Sequence, residues 1–91
     1  MQVIWSNAAI DSLIAIRVYI AEHNPSAARK VAARVLDAGN SLQAFPNRGR
    51  SVGLPNIQEL VITGTPYLLV YRVTDEAVQI LSVWHGAQDR S

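Results

Sequence analysis

The chain has 91 residues, 49% of them hydrophobic, enough for one packed core and too few for two independent domains, so a single unit over residues 1–91 is expected. Eight lysines and arginines against seven aspartates and glutamates leave a net charge of +1, which excludes the strongly basic footprint of a nucleic-acid-wrapping protein and leaves room only for a small local site. With no cysteine, no export-type leader and no apolar run of membrane-spanning length, disulfides, thiolate metal ligation, secretion and insertion are not expected, and a reducing cytoplasm fits.

Residues 2–5 carry β-prone Val3, Ile4 and Trp5 and stop at Ser6-Asn7, a chemically sound helix N-cap. From Ala8 to about Glu22 the pattern is helical, with an apolar surface wider than one stripe. Leu13, Ile16 and Ile20 share one side, whereas Ile10, Ile14 and Val18 spread onto another that needs cover from the second helix, a loop or a partner. His23-Asn24-Pro25 then ends the first helix and starts the next, because Asn24 can cap orphan amides and Pro25 suits the first helical position. Ala28, Val31, Ala32, Val35, Gly39 and Leu42 form a narrow stripe opposed by Lys30, Arg34 and Asp37, and the small residues predict a close approach of the two helices.

The stretch from Phe45 to Pro55 is rich in Gly, Pro and Asn and reads as an irregular loop carrying Arg48 and Arg50. After it the period becomes strand-like over 57–62, 67–73 and 77–84, with turns at 63–66 and 74–76. The order is β-α-α-β-β-β, an α+β domain in which an N-terminal helical hairpin packs on one face of a mostly antiparallel four-stranded sheet. The other face is expected to be open. Strict alternation in the last strand points Val78, Ile80, Ser82 and Trp84 one way and Gln79, Leu81, Val83 and His85 the other, and Gln79 makes the His85 side the less covered one.

Four segments together resemble the RelE/ParE toxin superfamily of type II toxin-antitoxin systems, over nearly the whole chain. They are Val3-Ile4-Trp5; Tyr19-Ile20 with Asn24-Pro25 and the Ala-rich second helix; Phe45-Pro46 with Gly49-Arg50; and the closing strands. The closing strands are the most specific: Glu59-Leu60, Gly64-Thr65-Pro66-Tyr67, Val70-Tyr71-Arg72-Val73, Ile80-Leu81, Val83 and His85-Gly86. The resemblance implies a cytoplasmic toxin made with a cognate antitoxin and held in a hetero-oligomer with it. Among such toxins a ParE-like branch, associated with plasmid stabilisation and growth inhibition, blocks DNA gyrase, and a RelE-like branch cuts messenger RNA on the ribosome. Helices of roughly 15 and 20 residues, the paucity of basic residues on the strands and Gln58 ahead of Glu59-Leu60 favour the ParE-like branch. The remaining alternative is a non-toxic remnant that still binds its antitoxin.

Metal-free RNA cleavage would need a base, an acid and cations around the phosphate. His85 could serve as acid, Arg50 and Arg72 could hold phosphate and Tyr71 could stack a base, but no base stands out. The bland readings stand beside these: His85 as a strand-end residue capping the sheet, and Arg72 as a solvated charge pairing with Glu59. Trp5 and Trp84 read as core or sheet-edge residues. Target contact is assigned to Arg48, Arg50, Arg72, His85 and Arg90, and antitoxin contact to Ile10, Ile14, Arg17 and Val18. No metal site, cofactor or Ser-His-Asp ordering is expected, since the two histidines lie far apart and no Gly-rich phosphate loop is present.

Overall fold

The structure, a computed structural model, describes residues 1–86. Its elements are β1 (Gln2–Trp5), α1 (Asn7–Ala21), α2 (Pro25–Ser41), β2 (Arg50–Ser51), β3 (Ile57–Val61), β4 (Tyr67–Val73) and β5 (Ala77–His85). Both helix starts form where cap chemistry puts them. The Ser6 hydroxyl accepts the Ala9 N–H at 3.0 Å, the Asn24 side-chain oxygen accepts the Ala27 N–H at 3.1 Å, and Pro25 opens α2. The helices run for 15 and 17 residues.

The strand order is β1-β5-β4-β3-β2, with β1 parallel to β5 and every other pair antiparallel. The sheet therefore has five strands rather than the expected four. The addition is β2, inside the stretch read as loop: two residues are too few to display alternation, and the strand is defined by its pairing of Arg50 with Glu59 and of Ser51 with Gln58.

A second departure is a bulge in β5. Val70 faces Ser82 but Tyr71 faces Ile80, so Leu81 is an extra residue without a partner in the ladder. Val78 and Ile80 are buried before the bulge and Val83 after it, which means that the alternation is reset at Leu81. Val83 and His85 accordingly lie on the helix-covered side, not on the less covered face that unbroken alternation predicts.

Tyr71, Leu42, Leu69, Ile80, Val35 and Val78 are the largest fully buried side chains. Leu13, Ile16 and Ile20 of α1 pack against this core, while Ile10, Ile14 and Val18 are 43%, 55% and 57% exposed, so neither α2 nor a loop covers the second apolar side. In α2 the small residue Gly39 makes room for Trp5 of β1: a Cβ there would collide with the indole ring. Replacing Gly39 by Ala would gain about 0.5–1 kcal/mol of helix propensity, but forcing a rigid indole out of place costs about 1–3 kcal/mol. Gly39→Ala is expected to lower the urea unfolding free energy by about 1–2 kcal/mol. Introducing Trp5→Val alongside it should abolish most of the added penalty, and additive losses in the double variant would refute the steric account.

Candidate functional site

Three surfaces carry the sequence-derived site residues. The first is the outer side of α1, where Ile10, Ile14 and Val18 recur at helical spacing with exposed Arg17 beside them. Near the far end of the helix Tyr19 leads into a shallow groove of about 280 Å³ between α1 and the sheet, lined by Ala15, Ile16, Tyr19, Tyr67, Val83 and His85. Tyr67 and His85 face each other across β4 and β5 and meet edge to face, with ring centroids 5.3 Å apart and an interplanar angle of 83°. Burial, and then the neighbouring Tyr19, push the Tyr67 phenol above its ordinary value of 10.0.

The second surface is the arginine-bearing segment leading into β2. Arg50 donates to Glu59 Oε1 from Nη2 at 2.9 Å and from Nε at 3.2 Å, so the charge of Glu59, only 5% exposed, is met by a cation whose own side chain is 74% exposed. Arg48 donates to the Ser41 hydroxyl at 2.9 Å, tying the loop back to the end of α2. Between them Gly49 approaches the sheet closely, and a Cβ at this position would lie 2.6 Å from both the Glu59 carbonyl and the Tyr71 hydroxyl. That hydroxyl accepts the Gly49 N–H at 2.8 Å and donates to Gln58 Oε1 at 2.8 Å, and Gln58 Nε2 in turn donates to Asn47 Oδ1 at 3.2 Å.

The third surface is the sheet face away from the helices, which carries exposed Ile4, Arg72 and Trp84. Arg72 faces Ile57 on one side and Gln79 on the other.

The four residues proposed for nuclease chemistry are thus not brought together. Tyr71 is fully buried and cannot stack on a base; its aromatic ring is core and its hydroxyl is occupied by Gly49 and Gln58. His85 lies beside α1, Arg72 is exposed on the opposite face, and Arg50 sits at the far edge of the sheet with Glu59. Arg90 lies outside the described residues. The sequence reading did not identify the polar chain Asn47–Gln58–Tyr71–Gly49, whose members meet only when β3, β4 and the loop are assembled. Among the described residues no group of His, Cys, Asp or Glu is placed to hold a metal ion, and no helix is long and apolar enough to cross a membrane.

A helical hairpin laid on one face of a sheet, with a parallel first strand and an antiparallel remainder, places the chain in the α+β fold shared by ParE and RelE toxins. A family model described as the ParE toxin of the type II toxin-antitoxin system, parDE, matches residues 3–90, and the chain belongs to that family. It is 39% identical to toxin RelE2 of Caulobacter vibrioides over 87 residues, covering 96% of this chain and 97% of the relative. Among solved structures, a chain of the chromosomal ParDE system from P. aeruginosa superposes with a TM-score of 0.86 at 25% identity, covering 93% of this chain and 95% of the other. A chain of the toxin-antitoxin complex RelBE2 from Mycobacterium tuberculosis gives 0.66 at 26% identity, covering 92% and 95%.

Removing the Tyr71 hydroxyl isolates its role in holding the arginine-bearing loop. Tyr71→Phe is expected to cost about 1–2 kcal/mol in chemical denaturation and to speed hydrogen exchange at the Gly49 amide. The same residue sets a pH signature. Burial raises the Tyr71 phenol above 10.0, opposed in part by the Gly49 hydrogen bond, so the folded state keeps a proton that the unfolded chain releases. That stability is present below about pH 10 and is lost as pH rises above it; Tyr71→Phe should blunt the loss, leaving the share due to Tyr67. An unchanged alkaline unfolding profile in the variant would refute the assignment.

Proposed function

We propose that this toxin acts without catalysis, by inhibiting DNA gyrase, and that a cognate antitoxin silences it by covering the outer side of α1. The observation that carries the reading is the scattering of the nuclease candidates: Tyr71 in the core, His85 beside α1, Arg72 on the opposite face and Arg50 against Glu59. Transfer of a 2′-hydroxyl proton and stabilisation of a phosphorane need groups within hydrogen-bond reach of one phosphate, and these residues do not converge on one. The closer superposition on a ParDE chain than on a RelBE2 chain supports the same branch. Action on gyrase would place the protein in the cytoplasm, as one half of a hetero-oligomer with its antitoxin, and calls for no cofactor. Arg48, Arg50, Arg72, His85 and Arg90 remain the proposed target contacts.

The names of relatives divide, since one of them is called RelE2 whereas the family model is that of ParE. Ribosome-dependent cleavage of messenger RNA is the second reading, favoured by that 39% identical relative. Purified toxin titrated into a plasmid supercoiling reaction is expected to stop gyrase at near-stoichiometric amounts. Unimpaired supercoiling, with new mRNA 5′ ends appearing after expression, would replace the first reading by the second. Normal growth on expression without antitoxin would point to a remnant that no longer poisons.

The antitoxin face makes a separate prediction. Ile14 and Val18 are more than half exposed, so Ile14→Ala with Val18→Ala should change the toxin's own stability by no more than about 0.5 kcal/mol per site. Truncating two anchors that a partner buries is expected to remove about 2–3 kcal/mol of binding, roughly 30- to 150-fold in affinity for the antitoxin, measured by calorimetry. Toxicity should survive while neutralisation weakens, and full neutralisation of the double variant would move the antitoxin elsewhere.

A further inference from the structure

We propose that the groove between α1 and the paired ends of β4 and β5 is a binding site for an organic ammonium cation of the polyamine class. The inference does not rest on the gyrase reading. Its ground is the placement of Tyr67. That residue is only 9% exposed and lines the groove, yet its hydroxyl has no hydrogen-bond partner among the described residues. The hydroxyl of Tyr71 on the same strand is by contrast bonded twice. Tyr67 therefore offers one donor and one acceptor to a bound molecule. Burial first, and then the neighbouring Tyr19, hold its phenol above 10.0, so the ring is neutral at physiological pH.

The walls decide the charge of the ligand. Tyr67 and His85 meet edge to face at 83°, and two rings set as a T form inside corners bounded by a face of each. Tyr19, 62% exposed, supplies a third ring from α1. Aromatic faces attract cations through their quadrupoles, and several such faces around one site are the pattern that recognises ammonium groups. Ala15, Ile16 and Val83 complete the lining with apolar surface that suits methylene groups. On the same side of α1, four residues before Ala15 and three after Tyr19, stand Asp11 and Glu22. Both are exposed, and neither has an ion pair among the described residues. At 1.5 Å of rise per residue they are set about 16 Å apart along the helix, with the groove between them. Arg17, two residues from both Ala15 and Tyr19, lies on the other side of the helix. An anion would thus meet two carboxylates and no guanidinium, whereas a linear chain of ammonium groups meets a carboxylate toward each end and aromatic faces in the middle. A volume of about 280 Å³ admits a slender chain rather than a drug-sized ligand. The competing explanation is that the two perpendicular rings only seal the end of the core.

The test titrates spermidine into the full chain, followed by calorimetry and by NMR of the aromatic side chains. Saturable binding at a single site is expected, with the ring signals of Tyr19 and Tyr67 shifting and those of Trp5 unmoved. Tyr19→Leu alters an exposed side chain and should weaken binding about threefold to fivefold, whereas Tyr19→Phe should stay within about twofold of the parent. Tyr67→Phe keeps the ring and removes the hydroxyl, and should weaken binding about threefold, with circular dichroism confirming the fold. Asp11→Asn with Glu22→Gln should weaken it about fivefold. Magnesium carries charge without methylene groups and should bind about tenfold more weakly than spermidine, leaving the ring signals in place. Magnesium binding as tightly as spermidine, affinity unaffected by Tyr19→Leu, equal losses in Tyr19→Phe and Tyr19→Leu, or tyrosine signals that do not move would each overturn the proposal.

Discussion

Ser6 joins β1 to α1 and ties that junction to β5, which lies far away in the sequence. Its hydroxyl accepts the Ala9 N–H at the start of α1 and donates to the Leu81 carbonyl at 3.0 Å, while its own N–H donates to the Ile80 carbonyl at 3.0 Å. β1 pairs parallel with β5 across more than 70 residues of sequence, so no hairpin sets its register. At Leu81 the extra residue in β5 has fallen out of step with β4, and a carbonyl left there would be an orphan. One serine both caps the helix and accommodates the bulge. Beyond the bulge Val83 and His85 turn beneath α1, and the groove against Tyr67 exists because of that turn.

Tyr71 performs the corresponding task at the other side of the sheet. Its ring fills the core opposite Ile80, while its hydroxyl reaches the edge and binds Gly49 and Gln58. A phenylalanine would fill similar space, but it would leave the loop carrying Arg48 and Arg50 without its anchor. Apolar burial and loop placement are thereby combined in one side chain, and this explains why a glycine must stand at position 49: the backbone passes too close to the ring for any Cβ.

Local chemistry made most of the framework readable. Ser6, Asn24 and Pro25 act at the positions where their cap preferences place them, and the β-branched runs become β3, β4 and β5. What could not be read are features that depend on a partner strand. A two-residue β2 exists only because Glu59 lies opposite Arg50, and the bulge at Leu81 is a property of the β4–β5 pair rather than of β5. From the bulge follows the misplacement of His85, since alternation carried through an extra residue assigns every later side chain to the wrong face. Tyr71 is ambiguous in the sequence for a related reason: a tyrosine in a strand can be an exposed stacking platform or a core residue with a polar end, and only burial and the hydrogen-bond partners decide.

The strand order also separates the two surfaces that a partner can use. α1 with its exposed Ile10, Ile14 and Val18 lies over the β5 half, and Arg48 with the end of β3 lies at the opposite edge. Strands stand about 4.8 Å apart, so the four steps from β1 to β2 span roughly 19 Å, a distance that about six residues of extended chain cover. A compact partner domain docked on α1 would leave the arginine edge bare. An extended segment, which orders as it binds, can occupy both, and each contact it makes raises the effective concentration of the next.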